Sequence, residues 1–341
     1  MRLLSPWTAA ALLLLLPLQG LAGPYSKALD DPDNAFDPPI PGYTGPDGAG
    51  VISPANQVNP AFVAWADQVI AYTPADSVDA GFDEPQRALG PVTGDQFDIV
   101  SLGDRDAASL AAGAPPGAIT LGFPLAMADF PGPDFAVFEN AFELAAGQTF
   151  AELAFVEVST DGAHFVRFPA VSETVAPVVF ADPGLDATDL YNLAGKHLNH
   201  DLALSWGTPF DLRELRDEPL VRSGMVDLCN IRYVRIVDIP GSGFFSDHRG
   251  QPIYDLWPSE GSGGFDLEAV GILHPRITCT LSPNGQALRF VAPMHRVVTL
   301  QACQDLRSPS WMNLTVIPGD GLEKILPVTG YRYYRLAFQL P

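Results

Sequence analysis

Basic residues are scarce in this chain of 341 residues: Lys and Arg total 19 against 40 Asp and Glu, for a net charge of −21. A surface with that balance repels phosphate, which excludes nucleic acid and anionic lipid as partners, because both are held through Lys and Arg. It suits hard cations, whose ligands are carboxylate and carbonyl oxygens. The same acidity also serves plain solubility. Cysteine is limited to three residues, with no C-x-x-C pair. The chain has no G-x-S-x-G elbow, no H-E-x-x-H and no P-loop, so no motif marks an enzyme. A glycosidase would need two acids across a cleft, and nothing in the sequence singles out such a pair. Beyond the first residues, no apolar run approaches the roughly 20 residues of a membrane-spanning helix.

Gly and Pro, at 31 and 33, make up close to a fifth of the chain, which favours many short strands and turns over long helices. The N-terminus has a basic Arg2, an apolar segment over 9–16 and small residues at Gly20-Leu21-Ala22. That is the pattern of a secretory signal peptide over 1–22, and it predicts a secreted, cell-surface or periplasmic protein with no transmembrane segment after its removal. In such a compartment Cys279 and Cys303 are candidates for a disulfide, with Cys229 left as a small buried hydrophobe.

The stretch 135–168 organises the rest. Phe135, Val137 and Glu139 fall on one face of a strand and Phe138, Asn140 and Phe142 on the other, so both faces expect a cover. Val156 and Val158 before Thr160-Asp161-Gly162, with Phe165, Val166 and Phe168 after it, read as a hairpin. Residues 118–127 alternate with Ile119, Leu121 and Phe123 on one face. Residues 231–239 alternate with Val234, Ile236 and Asp238 opposed to Tyr233, Arg235 and Val237. Residues 59–72 carry Phe62, Trp65, Ala66, Val69 and Tyr72 at spacings of three and four, which predicts a short amphipathic helix. Residues 23–55 are a turn-rich lead-in. Its Asp31, Asp33 and Asp37 look superficially like a calcium loop but lack the Gly and terminal Glu of an EF-hand.

Taken together, AWADQVIAY, RALGPVTG, VSLGD, AITLGF, PGPDFAVFENAF, FVEVSTDGAHFVRF, DLYNLAGKH, RYVRIVDI and GGFDLEAVGIL resemble a family of exported bacterial cell-surface proteins of PEP-CTERM type, over about 59–273. The C-terminal sorting helix and basic tail of that type are missing. VEVSTDG with RYVRIVDI is similar to the strand vocabulary of discoidin and galactose-binding-like jelly rolls. That resemblance implies a β-sandwich, often with a structural calcium ion and ligand-binding loops at one end. TLQACQDLRSPSW and YYRL resemble small fibronectin-III-like modules. The expected fold is therefore all-β: a jelly-roll-type sandwich over 56–275 and a small β module over 276–341.

Two sites are candidates. Glu139 and Asn140 follow the buried aromatic strand. Asp266 and Glu268 lie on one face of the strand that closes the sheet, about 7 Å apart. Buried carboxylates need a counter-charge and this chain has few cations, so Ca2+ is the candidate cofactor, with Arg167, Arg232 or Arg235 as the protein's own alternative. The long segment 240–264 reads as a loop without secondary structure. Its Phe244, Phe245, Tyr254 and Trp257 beside Asp247, His248, Arg249 and Asp255 suit a glycan or another polar ring-bearing ligand, unless they plug the end of the sandwich. His197 and His200, three apart and followed by Asp201, have the spacing of a two-histidine metal site on a helical face, set against hydrogen-bonded loop histidines. The function expected is an exported, non-enzymatic, calcium-stabilised binding or adhesion protein. A polysaccharide hydrolase or a capture protein for an outer-membrane uptake system is the alternative.

Overall fold

A computed structural model describes residues 23–34, 36–75, 78–145, 147–178, 184–200, 203–259, 262–292 and 297–339; the expected signal peptide and Asp201 lie outside them. Two antiparallel sheets carry the larger part of the chain. Their strands in chain order are β1 (Ile40–Pro41), β2 (Ala64–Trp65), β3 (Gln68–Thr73), β4 (Val100–Ser101), β5 (Ala118–Met127), β6 (Phe135–Glu139), β7 (Ala154–Ser159), β8 (Val166–Arg167), β9 (Asn199–His200), β10 (Leu204–Phe210), β11 (Ile231–Asp238) and β12 (Asp266–Ile272). One sheet runs β1-β10-β6-β12-β2, with β9 on β10 and β4 on β12. The other runs β8-β7-β11-β5-β3.

Alternation decides what lies between them. Ile119 and Leu121 of β5, Val156 and Val158 of β7, and Val234 and Ile236 of β11 share one buried cluster with Phe135 and Val137 of β6 and with Leu267, Val270 and Ile272 of β12. One core filled from both sheets makes the fold a β-sandwich. The opposite face of β6 is covered as its sequence requires: Ala136 and Phe138 pack with Phe62, Val92, Ala269 and Trp65. Phe138 lies 5.6 Å from Phe62 and 5.8 Å from Trp65 between ring centres. The 156–168 hairpin forms with Glu157 opposite Arg167 and Val158 opposite Val166.

Residues 59–72 are not helical. β2 pairs with Gly271 and Ile272 of the first sheet, and β3 pairs with β5 of the second. Trp65 therefore faces the outer layer, while Ala66, Val69 and Tyr72 turn to the inter-sheet core. A register shift between Val69 and Ala71 puts two residues three apart on one side, which is the spacing a helix would give.

The lead-in joins the sandwich: Ile40 and Pro41 pair with Gly207 and Trp206. Asp37 accepts the Ser26 N–H at 3.0 Å and Asp31 the Lys27 N–H at 3.1 Å, so both carboxylates take backbone donors of the lead-in. Segment 240–264 contains an antiparallel ribbon, Ser242–Ser246 against Pro252–Tyr254, where a structureless loop was expected.

Toward the C-terminus, β13 (Thr280–Leu281), β14 (Ala287–Val291) and β17 (Glu323–Pro327) form one sheet, and β15 (Val297–Cys303), β16 (Met312–Pro318) and β18 (Tyr333–Gln339) another. Phe290, Ala292, Val298 and Ile317 fill a separate small core. Cys303 ends β15 with its thiol buried, whereas Cys279 is exposed ahead of β13 in the other sheet. The two are free thiols and no bridge joins them; Cys229 is free and exposed instead of buried. No helix of the described residues is long and apolar enough to cross a membrane.

Candidate functional site

One end of the sandwich is sealed with acid. β6 closes on Glu139, β11 closes on Asp238 and β12 opens on Asp266. Crossing segments add Asp104, Glu152 and Asp255. All six are buried, with Glu139 and Asp238 each 1% exposed and Asp266 2%. Five give one oxygen to backbone donors: Glu139 to the Ala141 N–H at 2.9 Å, Glu152 to Gly264 at 3.0 Å, Asp238 to Phe265 at 2.8 Å, Asp255 to Leu153 at 2.9 Å and Asp104 to Ser259 at 3.0 Å. Oε1 of Glu139, Oδ2 of Asp238 and Oδ1 of Asp266 are buried and receive no hydrogen bond.

Among the described residues, Glu139, Glu152, Asp238, Asp255 and Asp266 form no ion pair with any Lys, Arg or His. Of the arginines that might have served, Arg167 and Arg235 both bind Glu157, Arg167 at 2.8 Å. Burial, first, and then mutual repulsion hold Glu139 and Glu152 well above the ordinary carboxylate range, in both cases with Asp266 as the leading repulsive neighbour. Asp238 is raised by burial and then by Asp104, as is Asp255, where the Leu153 N–H partly opposes the shift. Burial pushes Asp266 up to about 7 and Asp104 up to about 6, each tempered by hydrogen-bonding neighbours. Ser101 stands near Asp266, but its hydroxyl donates to the carbonyls of Ser262 and Gly263 at 2.8 Å. An anion cluster of this kind either keeps protons or holds a cation.

Asn140 stands between two acceptors. Its carboxamide nitrogen lies 3.3 Å from the Gln96 carbonyl and 3.3 Å from Asp266 Oδ2, bridging two acceptors at long range. Turning the amide over would place its oxygen beside these two, giving an all-oxygen set of the type calcium takes. The site opens onto a cavity of about 210 Å³ whose wall includes Gln96, Asn140, Glu152 and Asp266, with Phe82, Phe97, Phe142, Phe150 and His200 around them.

Three of the four metal candidates thus meet at this end: Glu139, Asn140 and Asp266. Glu268 does not join them. One of its oxygens accepts from the Thr93 N–H, the Thr93 hydroxyl at 2.7 Å and the Gly94 N–H at 2.7 Å, and the other from the Asn199 amide. A register shift between Leu267 and Ala269 lies behind this separate seat. Leu267 and Val270, three apart, both reach the inter-sheet core.

The ligand candidates of segment 240–264 do not gather around one opening. Phe245 packs edge-on to Phe155, Tyr254 covers Gly243, and the Trp257 indole N–H donates to the Arg105 carbonyl at 3.1 Å. Asp247 accepts the N–H groups of Ser172, Arg249 and Gln251, and His248 Nδ1 lies 2.7 Å from the Ala170 carbonyl. Arg249 pairs with Glu173 at 2.6 Å. Phe244 alone among the aromatics is largely exposed, and Asp255 belongs to the acid seam.

Asp104, Glu152 and Asp238 are additions that the sequence reading did not make. Asp238 was detectable, since it continues the inward register of Val234 and Ile236; Glu152 lies in a stretch without periodicity. His197 and His200 do not share a helical face: β9 puts His200 against Phe142, 5.0 Å between ring centres, while His197 is buried and burial depresses its pKa.

Among the described residues, the set of three acids whose oxygens lie within 4.8 Å of one another is Asp129, Asp134 and Asp211. This group already has a counter-charge in Arg216, which reaches Asp129 at 2.7 Å, and a ring partner in His274, whose Nδ1 lies 2.9 Å from Asp134. The acid seam is spread more widely, so an ion there would draw on one or two carboxylates together with amide, carbonyl and water oxygens. No protein-family model and no curated protein matches the chain.

Proposed function

We propose that this protein is an exported, non-enzymatic binding or adhesion protein of jelly-roll type, stabilised by calcium at the acid seam. Glu139 and Asp266 would supply carboxylate oxygens, Asn140 its side-chain oxygen and Gln96 its carbonyl, with Glu152 at the rim. The reading also places the protein among exported bacterial surface proteins of the kind its motifs resemble. The observation that carries it is the pair of buried, donorless oxygens Glu139 Oε1 and Asp266 Oδ1, with no Lys, Arg or His among the described residues paired to either carboxylate. A divalent cation converts their repulsion into attraction without a basic residue.

The test is the melting temperature of the full chain in EGTA and in excess CaCl2. Calcium should raise it, since a ligand at about 100 times its Kd adds about 2.7 kcal/mol to the folded state. Asp266→Asn should melt higher than the wild type in EGTA, because a neutral amide relieves the repulsion, and should lose the response to calcium. Identical melting with and without calcium would overturn the reading.

A further inference from the structure

We infer that the cavity above the acid seam takes a single neutral hydroxylated ring, a sugar residue or cyclic polyol, whose hydroxyl oxygens complete the coordination of the bound cation. This rests on the calcium reading above and extends it to the ligand class. At about 210 Å³ the cavity is smaller than the roughly 300–1,000 Å³ of sites for drug-sized ligands, which fits one ring and not a chain.

Its wall combines two kinds of surface. Phe142 and Phe150 stack on each other at 4.9 Å and 9°, which fixes both rings as a flat apolar side, and Phe97, 60% exposed, stands at the mouth. The polar side is Asn140, Glu152 and Asp266, the groups that face the cation. A sugar ring presents C–H faces to aromatic rings and hydroxyls to carboxylates and a hard cation, so both surfaces are answered by one molecule. Among the described residues no Lys or Arg lines the cavity, and Glu152 and Asp266 do, which favours a neutral ligand over a phosphate- or carboxylate-bearing one. An organic ammonium would answer the same carboxylates and rings, but it would replace the metal instead of requiring it.

The experiment is a thermal-shift and saturation-transfer NMR titration of the full chain with D-mannose, D-galactose, L-fucose, myo-inositol and tetramethylammonium, each in CaCl2 and in EGTA. At least one sugar or the cyclitol should give saturable binding in calcium and none in EGTA. Phe97→Ala, a change at a position 60% exposed, should weaken it about tenfold, with the calcium-induced rise in melting temperature of the same variant as the control for an intact cation site. If calcium raises the melting temperature and no sugar or cyclitol binds, the ligand inference falls and the calcium reading stands. If calcium has no effect, both fall, and saturable tetramethylammonium binding in EGTA would assign the cavity to a cationic ligand instead. Binding of equal strength in Phe97→Ala would move the ligand away from this cavity.

Discussion

Lys196 Nζ lies 2.6 Å from Asp37 Oδ2 across 159 residues of sequence, with the lysine side chain fully buried and the aspartate 6% exposed. The ammonium also donates to the Leu190 carbonyl at 2.6 Å, and Tyr25 stacks on Tyr191 alongside at 4.9 Å. In a chain with so few cations, this one is spent on fastening the lead-in to the sandwich.

Removing one partner of that pair strands the other. Lys196→Met should cost about 3–5 kcal/mol, because Asp37 is left as a buried anion, and Lys196→Met with Asp37→Leu should recover most of the loss. Urea unfolding of the two variants checks this; equal losses would mean that packing, not charge, holds the lead-in.

Gly207 of β10 touches the outer layer. A Cβ there would sit 2.7 Å from Cζ of Phe138, closer than packed atoms come. Gly207→Ala should therefore cost about 1–3 kcal/mol. Adding Phe138→Leu, which withdraws the ring, should make the combined loss smaller than the sum of the two single losses in a double-mutant cycle.

The acid seam sets the direction of pH dependence. Asp266 at about 7 and Asp104 at about 6 titrate above their unfolded value of about 4. The folded state therefore holds protons that the unfolded state has released. Stability from these groups is complete below about pH 4 and is lost as pH rises through 6 to 7. In EGTA the melting temperature should fall between pH 5 and pH 8, and calcium should raise it more at pH 8 than at pH 5. A melting temperature in EGTA that rises across this interval would show that the carboxylates are not buried together.

Thiol chemistry should follow burial. Under native conditions a thiol-specific disulfide reagent should modify Cys229 and Cys279 and spare Cys303, which is 2% exposed. Burial raises the pKa of both reactive thiols, so their rates should climb steeply with pH. In denaturant without reductant all three should react; a count of one would restore the Cys279–Cys303 bridge.

Alternation made the centre of the fold legible. Ile119 and Leu121, Val156 and Val158, and Val234 and Ile236 each announced an inward face, and a strand with apolar residues on both faces, Phe135 to Phe138, announced a layer outside the sheet. Legibility ended where the period of two was broken. The register shift near Val69 imitated a helix, and the one near Glu268 separated two carboxylates that regular alternation had grouped. The acid seam was half visible. Glu139 and Asp266 stand at strand ends, but Glu152 and Asp255 come from connecting segments with no period, and only the closing of those segments over the sandwich end brings them in. For segment 240–264, composition showed which rings were present and not which way they turn, so aromatics that brace the ribbon read as a binding face.

The shift at Glu268 also fixes the number of residues between Gly264 and Ile272. Beyond it, Val270 and Ile272 are locked to the inter-sheet core; before it, Asp266 faces Asn140 and Leu267 fills the interior. Losing or gaining one residue in that short interval would turn the earlier part of the strand by half a pleat, presenting a leucine where the carboxylate stands and driving the carboxylate into the hydrocarbon interior. A change of one in this interval would therefore take Asp266 out of the acid seam even with every acidic residue retained.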